Sequence, residues 1–247
     1  MTEQTSKRKF AAFDIDGTLF RWQLFHEFVF ALKDAGQFDA KTVKLIDDHF
    51  LAWTSRKISF GDYEETVVAA LRNCIPKLSP KTLEEASHKV IQSSGHKVYK
   101  FTREYITQLK KDGYFILAIT ASHQEVAQPF AEQYGFDDCI GVLFERKGDI
   151  FTGNFERYVY GRKAELITEY VKTHNLTFDG SVAVGDTEGD APMLEIVENP
   201  LAFNPTHGFL KIATEKGWKV VVERKNVAYT LQEGTHGSYI LAQADQL

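Results

Sequence analysis

Six short apolar runs recur along this 247-residue chain, most of them separated by segments with helical spacing. They fall at 10–16, 114–120, 139–145, 181–186, 200–204 and 219–223. The first, Phe10-Ala11-Ala12-Phe13, is apolar at every position instead of alternating, as in a strand covered on both faces. Between the runs, 98–112 repeats Val98, Phe101, Tyr105 and Leu109 at three- and four-residue steps, and Gly113 follows as a stop. Segment 123–135 ends in the same way at Gly135, and 162–174 carries Leu166, Ile167, Tyr170 and Val171 on one stripe. Strands alternating with helices of this length predict βαβ units: an α/β fold with a Rossmann-like, doubly wound parallel sheet.

The spacing is uneven. Nearly a hundred residues separate the first two runs, and 21–95 shows no strand pattern. It reads as helices at Gln23–Ala35, Lys41–Trp53, Phe60–Arg72 and Pro80–Ser93, the last with Ser79 as cap and Pro80 in its first turn. The pattern predicts a helical cap, 21–95, inserted into a core made of 1–20 plus 96–247, with junctions near Phe20–Trp22 and Ser94–Lys97. Lys147-Gly148-Asp149 predicts a tight turn and a small β-hairpin flap over 143–158. From Asn226 to Leu247 the patterning is weak and predicts a partly loose tail.

Composition narrows the classes of partner. A net charge of −5 disfavours nucleic acid, whose phosphate backbone needs a basic surface. No stretch approaches the ~20 apolar residues of a membrane span. The two cysteines, Cys74 and Cys139, form no CxxC pair, and Met1 to Lys9 is polar without a signal-peptide core. The expectation is a cytoplasmic protein with no disulfide framework or structural zinc, acting on a small phosphorylated metabolite.

That last expectation comes from four polar clusters at strand ends or helix starts: Asp14/Asp16, Thr120, Lys163, and Gly185-Asp186-Thr187-Glu188-Gly189-Asp190. In a doubly wound sheet the carboxyl ends of central strands sit side by side, where ligands bind. Two carboxylates one residue apart repel unless a cation or proton lies between them. Phosphoryl transfer needs a nucleophile, cations for the equatorial oxygens and a group that moves a proton. Asp14 suits the nucleophile and Asp16 the acid and base. Mg²⁺ takes oxygen ligands, here Asp14, Asp186 and the Asp16 carbonyl. Lys163 and the Thr120 hydroxyl suit the developing charge on the phosphoryl group. Ser122 either joins Thr120 or caps the next helix, and Arg56 in the insert is a candidate substrate contact. The same chemistry allows a phosphotransferase that passes the group to an alcohol. A receiver-type signalling module also uses Asp, Thr and Lys at strand ends but leaves the inserted helices unexplained. An EF-hand reading fails, because Thr18 and Phe25 occupy its fifth and twelfth positions.

The sequence DIDGTL, then Thr120, Lys163 and GDTEGD, resembles the four motifs of the haloacid dehalogenase-like phosphatases, from about Lys9 to Val222. The order is similar to the branch holding phosphoserine phosphatase, with a helical cap after the first motif. Ala121-Ser122, Asp190-Ala191-Pro192-Met193-Leu194, Asn204-Pro205 and Gly217-Trp218 add to the likeness. The resemblance implies Asp14 as nucleophile, Asp16 as acid/base, and Mg²⁺ held by Asp14, the Asp16 carbonyl and Asp186, with Asp190 supporting it. Phosphoserine phosphatases carry a Glu nine residues after the nucleophile to read the substrate amine; here Gln23 stands there. Trp22 and Phe25 are expected at the entrance.

Overall fold

The structure is a computed structural model describing residues 7–235 and 238–247. Strand β1 (Arg8–Phe13) leads into four helices, α1 (Leu24–Asp34), α2 (Ala40–Thr54), α3 (Phe60–Cys74) and α4 (Pro80–Ser94). Next come α5 (Lys100–Lys111), β2 (Phe115–His123), α6 (Gln124–Gln133), β3 (Asp138–Lys147), β4 (Ile150–Arg157) and α7 (Lys163–Thr173). The chain ends with β5 (Leu176–Gly185), α8 (Ala191–Glu195), β6 (Asn199–Phe203), α9 (His207–Lys216), β7 (Lys219–Arg224), β8 (Val227–Glu233) and β9 (Tyr239–Gln246).

The strands form one sheet in the order β4-β3-β2-β1-β5-β6-β7-β8-β9. Strands β3, β2, β1, β5, β6 and β7 run parallel, while β4, β8 and β9 pair antiparallel at the two margins. β1 lies centrally, with Phe13 level with Ala118 of β2 and Val184 of β5. The order reverses between these neighbours, so the residues after Phe13 enter the crevice of a topological switch point. Both faces are covered, as the unbroken apolar run requires. On one face Ala11, Phe13, Ile116 and Val184 join a core shared with α1–α6; on the other, Phe10, Ala12 and Leu117 pack with residues of α7, α8 and α9.

The helix starts follow local chemistry. The Asp39 side chain accepts from Thr42 N at the head of α2, and Ser59 with Asp62 forms a capping box on α3. Ser79 caps α4 ahead of Pro80. The four helices occupy the chain between β1 and β2, where the uneven spacing placed them. Their two connections to the sheet lie together: Phe20 pairs with Val98, Arg21 N donates to Lys97 O at 2.8 Å, and Tyr99 N donates to Leu19 O at 2.9 Å. The Arg21 guanidinium then donates to Val98 O at 2.8 Å and to the Glu223 carboxylate on β7 at 2.7 Å. Glu223 also accepts from Lys100 N and Phe101 N, the first amides of α5, at 3.3 and 2.9 Å. It thus supplies the cap that Tyr99 does not.

Three differences from the sequence expectation have physical reasons. The tail expected to be partly loose forms β8 and β9; positions 236 and 237 lie outside the described residues. Both strands sit at the sheet margin, where Ile240 and Leu241 stay about half exposed, so no buried face imprints a pattern. Strand β5 starts at Leu176, ahead of the predicted 181, because Gly180 carries a left-handed φ of +69° through a register shift opposite Lys9/Ala11. Strand β2 runs past Thr120 to His123, and β1 stops at Phe13, freeing Asp14 to Asp16 from the ladder. The hairpin is as expected: β3 and β4 turn at Gly148, φ +64°. Among the described residues no helix is long and apolar enough to cross a membrane.

Candidate active site

Asp14 is the first residue beyond β1, and its amide still donates to Val184 O at 2.9 Å. The chain then turns back: Leu19 N and Phe20 N both donate to Ile15 O, and Gly17 N donates to Phe20 O. Gly17 has φ +81°, and a Cβ there would overlap the Asp186 carboxylate. A glycine is therefore required twice over, by backbone and by space.

Behind this turn, the carboxylates of Asp14, Asp186 and Asp190 converge, with one oxygen from each lying within 4.8 Å of the others. The first residue of α7, Lys163, reaches in and donates from Nζ to Asp14 Oδ1 and Asp190 Oδ1, both at 2.6 Å. Asp190 is fixed further, its Oδ2 accepting from Asp186 N at 3.1 Å, Thr187 N at 3.0 Å and Thr187 Oγ1 at 3.1 Å. Thr18 donates to Asp186 Oδ1 at 3.3 Å.

Asp16 points elsewhere. Its Oδ2 accepts from Thr120 Oγ1 at 2.6 Å and Ser122 Oγ at 2.8 Å, and its Oδ1 from the amide of Leu24, the first residue of α1. Its side chain lies outside the carboxylate trio, and its main-chain carbonyl accepts no backbone hydrogen bond among the described residues. Only that carbonyl remains as the metal oxygen expected of Asp16. The Thr120 hydroxyl, expected to face a phosphoryl oxygen, is donated to Asp16 here and accepts from Ser122 N at 2.9 Å.

Four carboxylates thus meet one ammonium in a buried crevice. Burial, reinforced by the charges of Asp190 and Asp16, pushes the Asp14 carboxyl up to about 8 against the pull of Lys163. Burial and the Asp14 and Asp190 charges push Asp186 up to about 9. Asp16 is also raised by burial, although its hydrogen bonds from Thr120, Ser122 and Leu24 oppose the shift. For Lys163, burial disfavours the charge, but Asp14 and Asp190 overcome it and hold the ammonium above its ordinary range. The protein leaves this negative charge unbalanced. An all-oxygen donor set with surplus negative charge fits a hard divalent cation such as Mg²⁺, which Asp14, Asp186 and Asp190 could hold.

On the Asp16 side a cavity of about 680 Å³ opens, lined by Asp16, Gln23 and Ser122 from the site and by α3 and a group of aromatic rings. Gln23 and Phe25 reach it, whereas Trp22 stacks on Trp53 at 5.4 Å among the inserted helices. Arg56 is exposed in the turn after α2 at φ +58° and does not line the cavity. His123 heads α6 and also forms part of the wall. Sequence reasoning missed Glu64, Glu65, Val68 and Arg72 of the lining. Their steps of one, three and four residues place them on one stripe of α3, beside Tyr63, Val67 and Leu71, which are buried.

The haloacid dehalogenase-like hydrolase family matches over residues 11–195. The chain belongs to that family. A phosphoserine phosphatase of Mycobacterium tuberculosis is 31% identical over 127 residues, covering 50% of this chain and 41% of that protein. A histidinol-phosphatase of Neisseria meningitidis is 23% identical over 236 residues, covering 87% of this chain and 98% of its own. The chain spans less than half the length of the first curated relatives it matches, 46% in one from Streptomyces azureus. Among solved structures, a Bordetella pertussis protein of unknown function has the same fold, with TM-score 0.72 and 21% identity over 87% of this chain and 98% of the other.

Proposed function

We propose that this hydrolase is a Mg²⁺-dependent phosphatase that cleaves a small phosphomonoester through a phosphoryl group carried on Asp14. The observation that supports it most is the division of labour between two aspartates two residues apart. Asp14 faces Lys163 and the acidic trio, while Asp16 faces the cavity through Thr120 and Ser122.

An Asp14 oxygen attacks phosphorus in line with the ester oxygen, and the P–O bond to the alcohol breaks. Asp16, its carboxyl already raised, gives its proton to the leaving oxygen. It then takes a proton from the water that attacks the Asp14 phosphoryl group, restoring both carboxyls and releasing phosphate. Thr120 and Ser122 hold the Asp16 carboxyl at the boundary between the two compartments. Lys163 balances the charge gathering at Asp14. A bound Mg²⁺ supplies Lewis-acid neutralisation of the phosphoryl oxygens. In this reading residues 21–95 act as a cap over the core of 1–20 and 96–247, and the cavity under it holds the alcohol portion.

Asp14→Asn is expected to abolish Mg²⁺-dependent hydrolysis of p-nitrophenyl phosphate while thermal unfolding stays cooperative. Wild-type turnover in that variant would remove Asp14 from the mechanism.

A further inference from the structure

Strands β2 and β3 pair Ile119 with Ile140 and then His123 with Val142, so Thr120 to Ser122 of β2 stand against the single residue Gly141 of β3. The extra residues form a bulge. It carries the two buried hydroxyls that hold Asp16. Gly141 packs so closely against it that a Cβ there would stand 2.9 Å from Ser122 O and from Gln124 N.

A bulge takes backbone groups out of the ladder, and those groups need other partners. Gly141 has no ladder partner on β2 or β4 among the described residues. Two side chains take that place. Gln124 Oε1 accepts from Gly141 N at 2.6 Å, and Arg157 Nε donates to Gly141 O at 2.8 Å. Arg157 Nη2 donates to the same Gln124 oxygen, while Gln124 Nε2 donates to Gln128 Oε1 at 2.9 Å and Cys139 O at 3.1 Å. Every hydrogen-bonding position of the carboxamide is used. Gln124 follows Ser122 by two residues and Arg157 ends β4, so the pair ties the hairpin to the foot of the bulge.

We propose that Gln124 and Arg157 are positioning residues for the acid–base step: by satisfying Gly141 they fix the bulge, and the bulge keeps the Thr120 and Ser122 hydroxyls on Asp16. This rests on the phosphatase reading above. Without the guanidinium, Gly141 O and Gln124 Oε1 each lose a donor, and the bulge is free to relax. A displaced Asp16 carboxyl then hands its proton to the leaving oxygen less well. The cost grows with that oxygen's need for a proton.

The test measures kcat/KM, which ends at departure of the alcohol, for p-nitrophenyl, phenyl and benzyl phosphate with the Mg²⁺-loaded enzyme. p-Nitrophenolate leaves unaided, phenolate needs more help and the benzyl alkoxide most. Asp16→Asn sets the signature of a missing acid, a loss that grows along this series. Arg157→Met is expected to show the same grading, losing at least about tenfold more with benzyl than with p-nitrophenyl phosphate. Gln124→Leu should match it, and Gln124→Glu, which keeps the acceptor oxygen, should retain most of the activity. In a Ser122→Ala background Arg157→Met should cost less than in the wild type, because a hydroxyl through which it acts is gone. An equal loss for the three esters in a cooperatively unfolding variant would overturn the inference, as would full additivity with Ser122→Ala. If Arg157→Met does not unfold cooperatively, Gln124→Leu decides. An ungraded loss in Asp16→Asn would instead remove the acid role of Asp16, which is a failure of the phosphatase reading itself.

Discussion

His26 on α1 is fully buried, and neither ring nitrogen has a hydrogen-bond partner. It sits among the rings of Tyr63, Phe25, Phe60 and Trp22, with centroids 5.0, 5.5, 5.6 and 5.8 Å away. Burial lowers its pKa from 6.5 to about 4. The unfolded chain therefore takes up a proton that the folded chain refuses. The stability tied to this group is fully present above about 6.5 and drains away as pH falls towards about 4. At pH 5 the unfolded side chain is protonated across about 1.5 pH units, and at about 1.4 kcal/mol per unit the loss is roughly 2 kcal/mol. Leucine has a similar volume and no polar atom to orphan. His26→Leu is expected to stabilise the protein at pH 7.5 by about 1 kcal/mol or more, because a buried unpaired polar group costs about 1–3 kcal/mol. The gap between variant and wild type should then widen by roughly 2 kcal/mol at pH 5. Urea unfolding at both pH values measures it, and His123, present in both proteins, cancels. An equal gap at the two pH values would refute the argument.

Three further substitutions probe the site and its supports. Gly17→Ala, which drives a Cβ into the Asp186 carboxylate, is expected to lower Mg²⁺-dependent turnover by about 10² and to weaken the Mg²⁺ thermal shift; an unchanged shift counts against the proposed ion position. Lys163→Met removes the ammonium that Asp14 and Asp190 share. It should cut kcat by about 10²–10³ while tightening Mg²⁺ binding by calorimetry, since a like charge leaves the site. Glu223→Ala strands Arg21 and two α5 amides, costing about 3 kcal/mol in chemical denaturation. Faster proteolysis near Lys97 should accompany the loss, and wild-type resistance would show that the contact is dispensable.

What the sequence revealed and what it concealed follow from the range of the interactions involved. Phe10 to Phe13 is buried on both faces, so its continuous hydrophobicity located the central strand and, with it, the place where Asp14 emerges. Lys163 sits 149 residues from Asp14, yet its place at a helix start after the hairpin put it at the same sheet edge. The partners of Asp16 were less legible. Thr120 was readable as a strand-end hydroxyl, but not that it donates to a carboxylate 104 residues away, nor that the Leu24 amide would join them. That Glu64 and Arg72 line the cavity was not legible, because it depends on how α3 packs against the rings of β3 and β4. At the far end, β8 owes its position to ladder bonds with β7 and β9 to ladder bonds with β8, which leave little trace in hydrophobic spacing.

The outgoing and returning segments of the helical stretch travel side by side as a short ribbon, stapled by one guanidinium to β7. The ribbon brings both ends of the helical stretch to one point of the sheet, while its body shares the core of the sheet face and α6. Under the proposed function, the helices over the cavity can then change over evolutionary time while the aspartates below keep their distances.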